Sequence, residues 1–176
     1  MTHHVFKTTQ GNRHELVRTL ASGKGRRILF TRTKFQTQKL AKDLTQNGIP
    51  AAELHGNLSQ NQRDRNLAAF NSGDVNVMVA TDVAARGIDV SGVELVVQVE
   101  PPEDPKSFLH RSGRTARAGH SGDVVTIILP NQRRRTRRMM REAGLTVEPI
   151  DVTPDSPEVL ELVGEVAEPV FGWTLE

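Results

Sequence analysis

The chain has 176 residues, 36% of them apolar and 25% charged, which suits one packed domain and argues against wholesale disorder. It has no cysteine, so disulfides, thiolate metal sites and a cysteine nucleophile are excluded, as suits a reducing cytoplasm. The net charge of +2 conceals a segregation: residues 1–141 carry all 23 Lys and Arg against 12 acids, whereas residues 142–176 carry nine acids and no Lys or Arg.

A basic body and an acidic end point to a polyanionic partner. Seventeen of the 23 cations are Arg, the residue suited to forked contacts with phosphate. A solvated basic surface would share this composition. No run of 18 apolar residues occurs, so no membrane-spanning helix is expected. Met1-Thr2-His3-His4 lacks the basic-then-apolar pattern of a secretory signal.

In chain order, Asn12–Ser22 reads as a helix with Leu16, Val17 and Leu20 inward and Gly23 at its end. Ile28–Thr31 is a short apolar run, the pattern of a buried parallel strand. Thr33 to Asn47 follows as a helix with Leu40, Ala41 and Leu44 inward and Gly48 after it. Ala51–Leu54 is a second strand, and Ser59 caps a helix running to Asn71. Val75–Ala80, Leu95–Val99 and Val124–Leu129 are three further strands, with Asp104-Pro105 opening a helix between the last two. Asn131 to Ala143 looks helical, and no internal repeat is present. Such alternation predicts a parallel sheet covered by helices on both faces. We therefore expect one domain over 1–150, and an acidic linker or tail over 151–176 that could include a short docked helix. There Ser156-Pro157-Glu158 reads as a helix start, and Val159, Leu160, Val163 and Val166 form an apolar stripe opposite Glu161, Glu165 and Glu168. Residues 157–168 either dock back and compete for the arginines of 133–141, or form a solvated tail.

In open parallel sheets, ligands sit beyond the carboxyl ends of the strands, and the distinctive residues cluster there. Val79 to Val90 leaves a strand, enters a short helix and ends in a Gly turn. Thr81 could hold a phosphate oxygen and Asp89 a ribose hydroxyl. Ordinary punctuation, with Thr81 or Asp82 as N-cap, fits the same spacing. His110 to Gly119 holds Arg111, Arg114 and Arg117 at i, i+3 and i+6. Like charges at that spacing and Gly113 within a helix are both unfavourable, so an anion opposite the arginines explains the pattern better than a solvated face.

These residues carry a resemblance. His110-Arg111-Ser112-Gly113-Arg114-Thr115-Ala116-Arg117 resembles the sixth motif of DEAD-box ATP-dependent RNA helicases, HRxGRxxR, and Ala80 to Asp89 resembles the fifth. Ile28 to Lys34 is similar to the fourth, and His55-Gly56 with Gln60-Asn61-Gln62-Arg63 is similar to the HG…QxxR element. Asn57 stands where the family usually has Asp, and Val99-Glu100-Pro101-Pro102 replaces the common Tyr-Asp-x-Pro. The resemblance, to the C-terminal RecA-like domain over roughly residues 1–150, implies an α/β fold of three α/β/α layers around a mostly parallel sheet.

The resemblance also implies roles. Arg114 and Arg117 correspond to arginine fingers, His110 links nucleotide to RNA binding, and Asp89, with Gly87, meets the ATP ribose. Thr33, Lys34, Gly56, Gln60, Arg63, Thr81 and Gly87 correspond to an RNA-facing set that would contact phosphates and sugars regardless of sequence. No G-x-x-x-x-G-K-[ST] and no Asp-Glu-Ala-Asp occurs, so Mg²⁺ ligands and most of the ATP site are expected on an N-terminal RecA-like domain, the chain's implied partner beside RNA. The isolated chain is expected not to hydrolyse ATP. A stand-alone nucleic-acid-binding or protein-docking module of the same fold is the alternative.

Overall fold

The computed structural model describes residues 2–85, 92–112 and 122–175, with backbone alone for 109–112. Its elements, in chain order, are β1 (Thr2–Lys7), α1 (Gln10–Ala21), β2 (Arg27–Thr31), α2 (Lys34–Gln46), β3 (Ala51–Leu54), α3 (Gln60–Asn71), β4 (Val77–Thr81), α4 (Asp82–Ala85), β5 (Leu95–Gln98), α5 (Pro105–Ser112), β6 (Asp123–Ile128), a 3₁₀ turn, α6 (Arg133–Glu142), β7 (Ile150–Asp151) and α7 (Pro157–Val163). The strands form one seven-stranded sheet, ordered β3-β4-β2-β5-β6-β1-β7, and every pairing is parallel.

The central strands are buried along their length, as their unbroken apolar sequences require of strands covered on both faces. Leu16 and Leu20 of α1, Leu40 and Leu44 of α2, and Val159 and Val163 of α7 cover one face. Phe70 of α3, Phe108 of α5 and Met139 and Met140 of α6 cover the other. This is the expected three-layer α/β/α arrangement.

Two strands go beyond the five expected. In Thr2-His3-His4-Val5-Phe6-Lys7 only Val5 and Phe6 are buried, so the segment has little apolar pattern of its own. It is a strand because it pairs with β6 from Thr2↔Asp123 to Lys7↔Ile128, a partner more than a hundred residues away. The two-residue β7 then joins its outer edge at Phe6↔Ile150.

Side-chain caps also set the starts of α2, α3 and α5, as Thr9, accepting from Asn12 N at 3.2 Å, does for α1. Thr33 and Ser59 each form a reciprocal capping box, with Gln36 and Gln62. Asp104 Oδ1 accepts from Ser107 N at 2.7 Å, with Pro105 as the first helical residue.

The acidic end is ordered against the domain. Val159 and Val163 enter the core beside α1, whereas Leu160 and Val166 are 51% and 59% exposed, so only half of the expected stripe is buried. The chain then crosses the loops that precede β2, β3 and β4. Glu165 O accepts from Lys24 N, Ala167 N donates to Ser22 O, Val170 N donates to Gly48 O, and Trp173 Nε1 donates to Asp74 Oδ2. Among the described residues Glu165 pairs with Lys24 at 2.8 Å, and the acid facing Arg137, at 2.8 Å, is Glu148 and not a carboxylate of 157–168.

On the α1–α2 flank, the Arg18 guanidinium donates twice to Asp43, at 2.9 and 2.8 Å, and His14 lies 3.2 Å from the same carboxylate. The Arg18 hydrogen bond, against a smaller opposing effect of burial, holds the Asp43 carboxyl below its ordinary 3.8. Its stabilisation is therefore complete above that value and is lost as pH falls through the lower, folded value. The pair is partly exposed, so the contribution should be at most about 1 kcal/mol. Urea midpoints of wild type and Asp43→Asn should differ at pH 6 and converge toward pH 2.

Candidate nucleic-acid interface

The carboxyl ends of β3, β4 and β2 lie side by side, with Leu54 opposite Ala80 and Thr31 opposite Thr81. Six of the expected RNA-facing residues sit at or just beyond these ends: Thr81 ends β4, Thr33 and Lys34 start α2, Gly56 follows β3, and Gln60 and Arg63 are in the first turn of α3. Thr33 caps α2, its hydroxyl accepting from Gln36 N at 3.1 Å. That cap satisfies one first-turn amide and leaves those of Lys34 and Phe35 without an intrahelical acceptor.

Lys34 is exposed, and its ammonium donates to Asn57 Oδ1 at 3.0 Å. Asn57 is itself positioned. Its backbone N donates to Nδ1 of buried His55 at 3.2 Å, which makes that nitrogen an acceptor and puts the ring proton on Nε2. Nε2 then donates to Glu53 Oε1 at 3.1 Å. The chain Glu53–His55–Asn57–Lys34 thus ties the end of β3 to the start of α2. Asn57, where the family usually has Asp, holds the lysine without neutralising it.

A Cβ placed on Gly56 would meet nothing within 4 Å, so no contact among the described residues demands glycine there. Gln60 is exposed and donates to Asp64 at 2.9 Å. Half-buried Arg63 donates through Nη2 to Ala84 O at 2.9 Å, bracing α3 against α4 with the rest of its fork uncommitted by that bond. Thr81 ends β4, and its hydroxyl accepts from Ala84 N at 3.4 Å, so the capping role for this residue is present in weak form.

Gly87, Asp89, Arg114 and Arg117 lie outside the described residues, as does the side chain of His110, whose backbone belongs to α5. Chemically, two arginines, a histidine and a carboxylate suit the phosphates and ribose of a nucleotide. Among the described residues no cluster of three or more metal-ligating side chains occurs, and no helix is long and apolar enough to cross a membrane.

Two features escape a reading by motif. Phe35 is 70% exposed beside Thr33 and Lys34, whereas Phe6, Phe30, Phe70 and Phe108 are fully buried. Its signal was available: it precedes the inward positions Leu40, Ala41 and Leu44 of α2. The second is Glu100, which accepts from Gln36 Nε2 at 2.6 Å and lies 3.5 Å from Arg32 Nε. Arg32 Nη2 also donates to Pro101 O at 2.7 Å, so the unusual Glu100-Pro101 pair locks the end of β2 to the turn after β5.

A model of the helicase conserved C-terminal domain matches residues 11–119. DEAD-box ATP-dependent RNA helicase 7 of Oryza sativa subsp. japonica is 41% identical over 157 residues, which cover 89% of this chain and 22% of that protein. A DEAD box protein from the hyperthermophile Methanococcus jannaschii superposes with a TM-score of 0.79 at 32% identity, over 85% of this chain and 42% of that one. The E. coli DEAD-box protein SrmB, solved bound to regulator of ribonuclease activity A, gives 0.77 at 28% identity, over 89% of this chain and 96% of that one. The chain spans about a fifth of the length of the curated relatives it matches.

Proposed function

Because this chain belongs to the helicase conserved C-terminal domain family, as the C-terminal RecA-like domain of a DEAD-box helicase, we propose that it is one half of an ATP-dependent RNA-unwinding motor. The observation that carries this reading is the convergence of Thr33, Lys34, Gly56, Gln60, Arg63 and Thr81 on the carboxyl ends of three adjacent strands. These groups offer amides, hydroxyls and cations to an RNA backbone, and Gly87 completes the set. They carry no base-edge code, so the grip is independent of sequence. Phe35 offers a ring face to a neighbouring base.

ATP, with Mg²⁺ held by an N-terminal RecA-like domain, supplies the phosphoryl group whose cleavage drives the cycle. Asp89 accepts from the ribose, Arg114 and Arg117 stabilise charge developing on the phosphate, and His110 connects that site to the RNA face. RNA and nucleotide each bridge the two domains, so the residues binding one favour the closed form and raise affinity for the other. In the closed form the strand gripped by Lys34 and Arg63 is bent away from its complement, and opening releases it. A protein-docking module is the second reading, favoured by the SrmB chain, most of which this chain covers and which is bound to a protein regulator.

RNA titrations of the two-domain protein separate these readings. Lys34→Ala and Arg63→Ala should each weaken unrelated single strands equally and reduce the salt slope by about 0.7, one phosphate contact each. Unchanged binding would favour the docking module, and a loss confined to one sequence would favour a stand-alone nucleic-acid-binding module.

A further inference from the structure

Helix α6 is built against its own electrostatics. Arg133, Arg134 and Arg135 occupy its first turn, where the helix dipole favours anions, and no acid is present there. Arg134, Arg138 and Arg141 stand at i, i+4 and i+7 on one face, all exposed, a spacing at which like charges repel. Glu148 relieves Arg137 and, at 3.9 Å, Arg133 on the flank of that face. What fixes the helix is its opposite side, where Met139 and Met140 are buried with Phe108, Val5 and Ile128. The arginines are therefore presented from a rigid support.

One residue of the face, Arg138, shares a cavity with Arg32, which follows β2, a strand whose end borders the groove. This cavity of about 210 Å³ runs from Arg32, which precedes Thr33, past Pro101 and Pro102 to Arg135 and Arg138, with Glu103 and Glu142 also lining it. Thr136 lines it as well; it is 2% exposed, and its hydroxyl has no hydrogen-bond partner among the described residues.

We propose that the arginine face of α6 is a second RNA-binding surface, taking the phosphates of a strand or duplex that extends beyond the groove. The proposal rests on the RNA-helicase reading above. It assigns α6 an anchoring role: the groove grips a few nucleotides for unwinding, while α6 holds the flanking segment by charge alone. The exposed arginines offer planar forks for phosphate.

The test uses the two-domain protein with Arg134, Arg138 and Arg141 all changed to Gln, and labelled single strands of about 10 and about 30 nucleotides, the short one within a single-site length. Removing three phosphate contacts should lower the log–log salt slope for the long strand by about 2 and its low-salt affinity about tenfold, and leave the short strand unaffected. The Arg→Lys triple should keep the slope, and a thermal melt of the Gln triple should be unchanged or raised, since there the repulsion is relieved. Wild-type binding of the long strand by the folded Gln triple would overturn the proposal, as would loss of binding to polyglutamate alone, which would assign the face to an acidic protein. Lys34→Ala and Arg63→Ala run beside it: if they weaken both strands while the Gln triple weakens neither, the groove stands and only the α6 surface fails.

Discussion

Alanine at Arg114 or Arg117 in the two-domain protein is expected to reduce ATP turnover about 10³–10⁵-fold, the range over which arginine fingers act on phosphoryl transfer. The two arginines follow α5 in the chain, and that helix is seated by Phe108, fully buried against Met139 and Met140 of α6. Neither substitution should cost much stability, because both arginines are proposed to face a cleft, where removing one relieves like-charge repulsion. Single-turnover phosphate release with saturating RNA is the measurement, with a melt to verify folding. Near-normal turnover, or a protein that unfolds, would remove the finger assignment.

The parts of this molecule that sequence makes legible are those fixed by local physics. Ile28-Leu29-Phe30 has the pattern of a strand buried on both faces, and Thr33 with Gln36, or Ser59 with Gln62, announces a helix start through bonds spanning three residues. The place of the proposed RNA-facing set is legible for a related reason: in a parallel sheet the strand ends locate ligands, which points to Thr81, while Thr33 and Gly56 entered through the resemblance to helicase motifs.

What stayed hidden depends on partners distant in the chain. Thr2–Lys7 becomes a strand only because β6 pairs with it. The path of 165–173 is set largely by main-chain bonds to Ser22, Lys24 and Gly48, and such bonds leave no mark on side-chain pattern. The bracing of Lys34 through His55 and Asn57 likewise needs two turns to meet. Gly23 shows the limit most clearly. As a helix-ending glycine it suggests a left-handed turn, yet it is not among the glycines with positive φ. Its lack of a side chain serves close approach, since a Cβ there would fall on the Val163 backbone oxygen and within 2.6 Å of Arg27 Nη2.

That junction gives the second large effect, on stability. Arg27 begins β2 and is 2% exposed. Its Nη1 donates to Leu20 O at 2.7 Å, serving a carbonyl of the last turn of α1, and its Nε donates to Gly25 O at 2.7 Å. Burial lowers its pKa to about 10, only partly opposed by Glu94. The group is still charged at pH 7, but its environment penalises that charge, so the side chain is held for its hydrogen bonds. Arg27→Ala should then destabilise on the order of 3 kcal/mol or more, since each buried group left unpaired costs roughly 1–3 kcal/mol and a cavity adds to that. Arg27→Met, which fills space without donating, should recover the cavity part alone. Gly23→Ala should act from the other side, pushing Val163 away and freeing α7 from α1. Urea midpoints rank the three variants, and protease cleavage after Leu160 reports whether α7 has come loose. If Arg27→Met matches wild type, the two carbonyls are not what the arginine is there to satisfy. If Gly23→Ala leaves α7 protected, the close approach at this junction does not hold the acidic end in place.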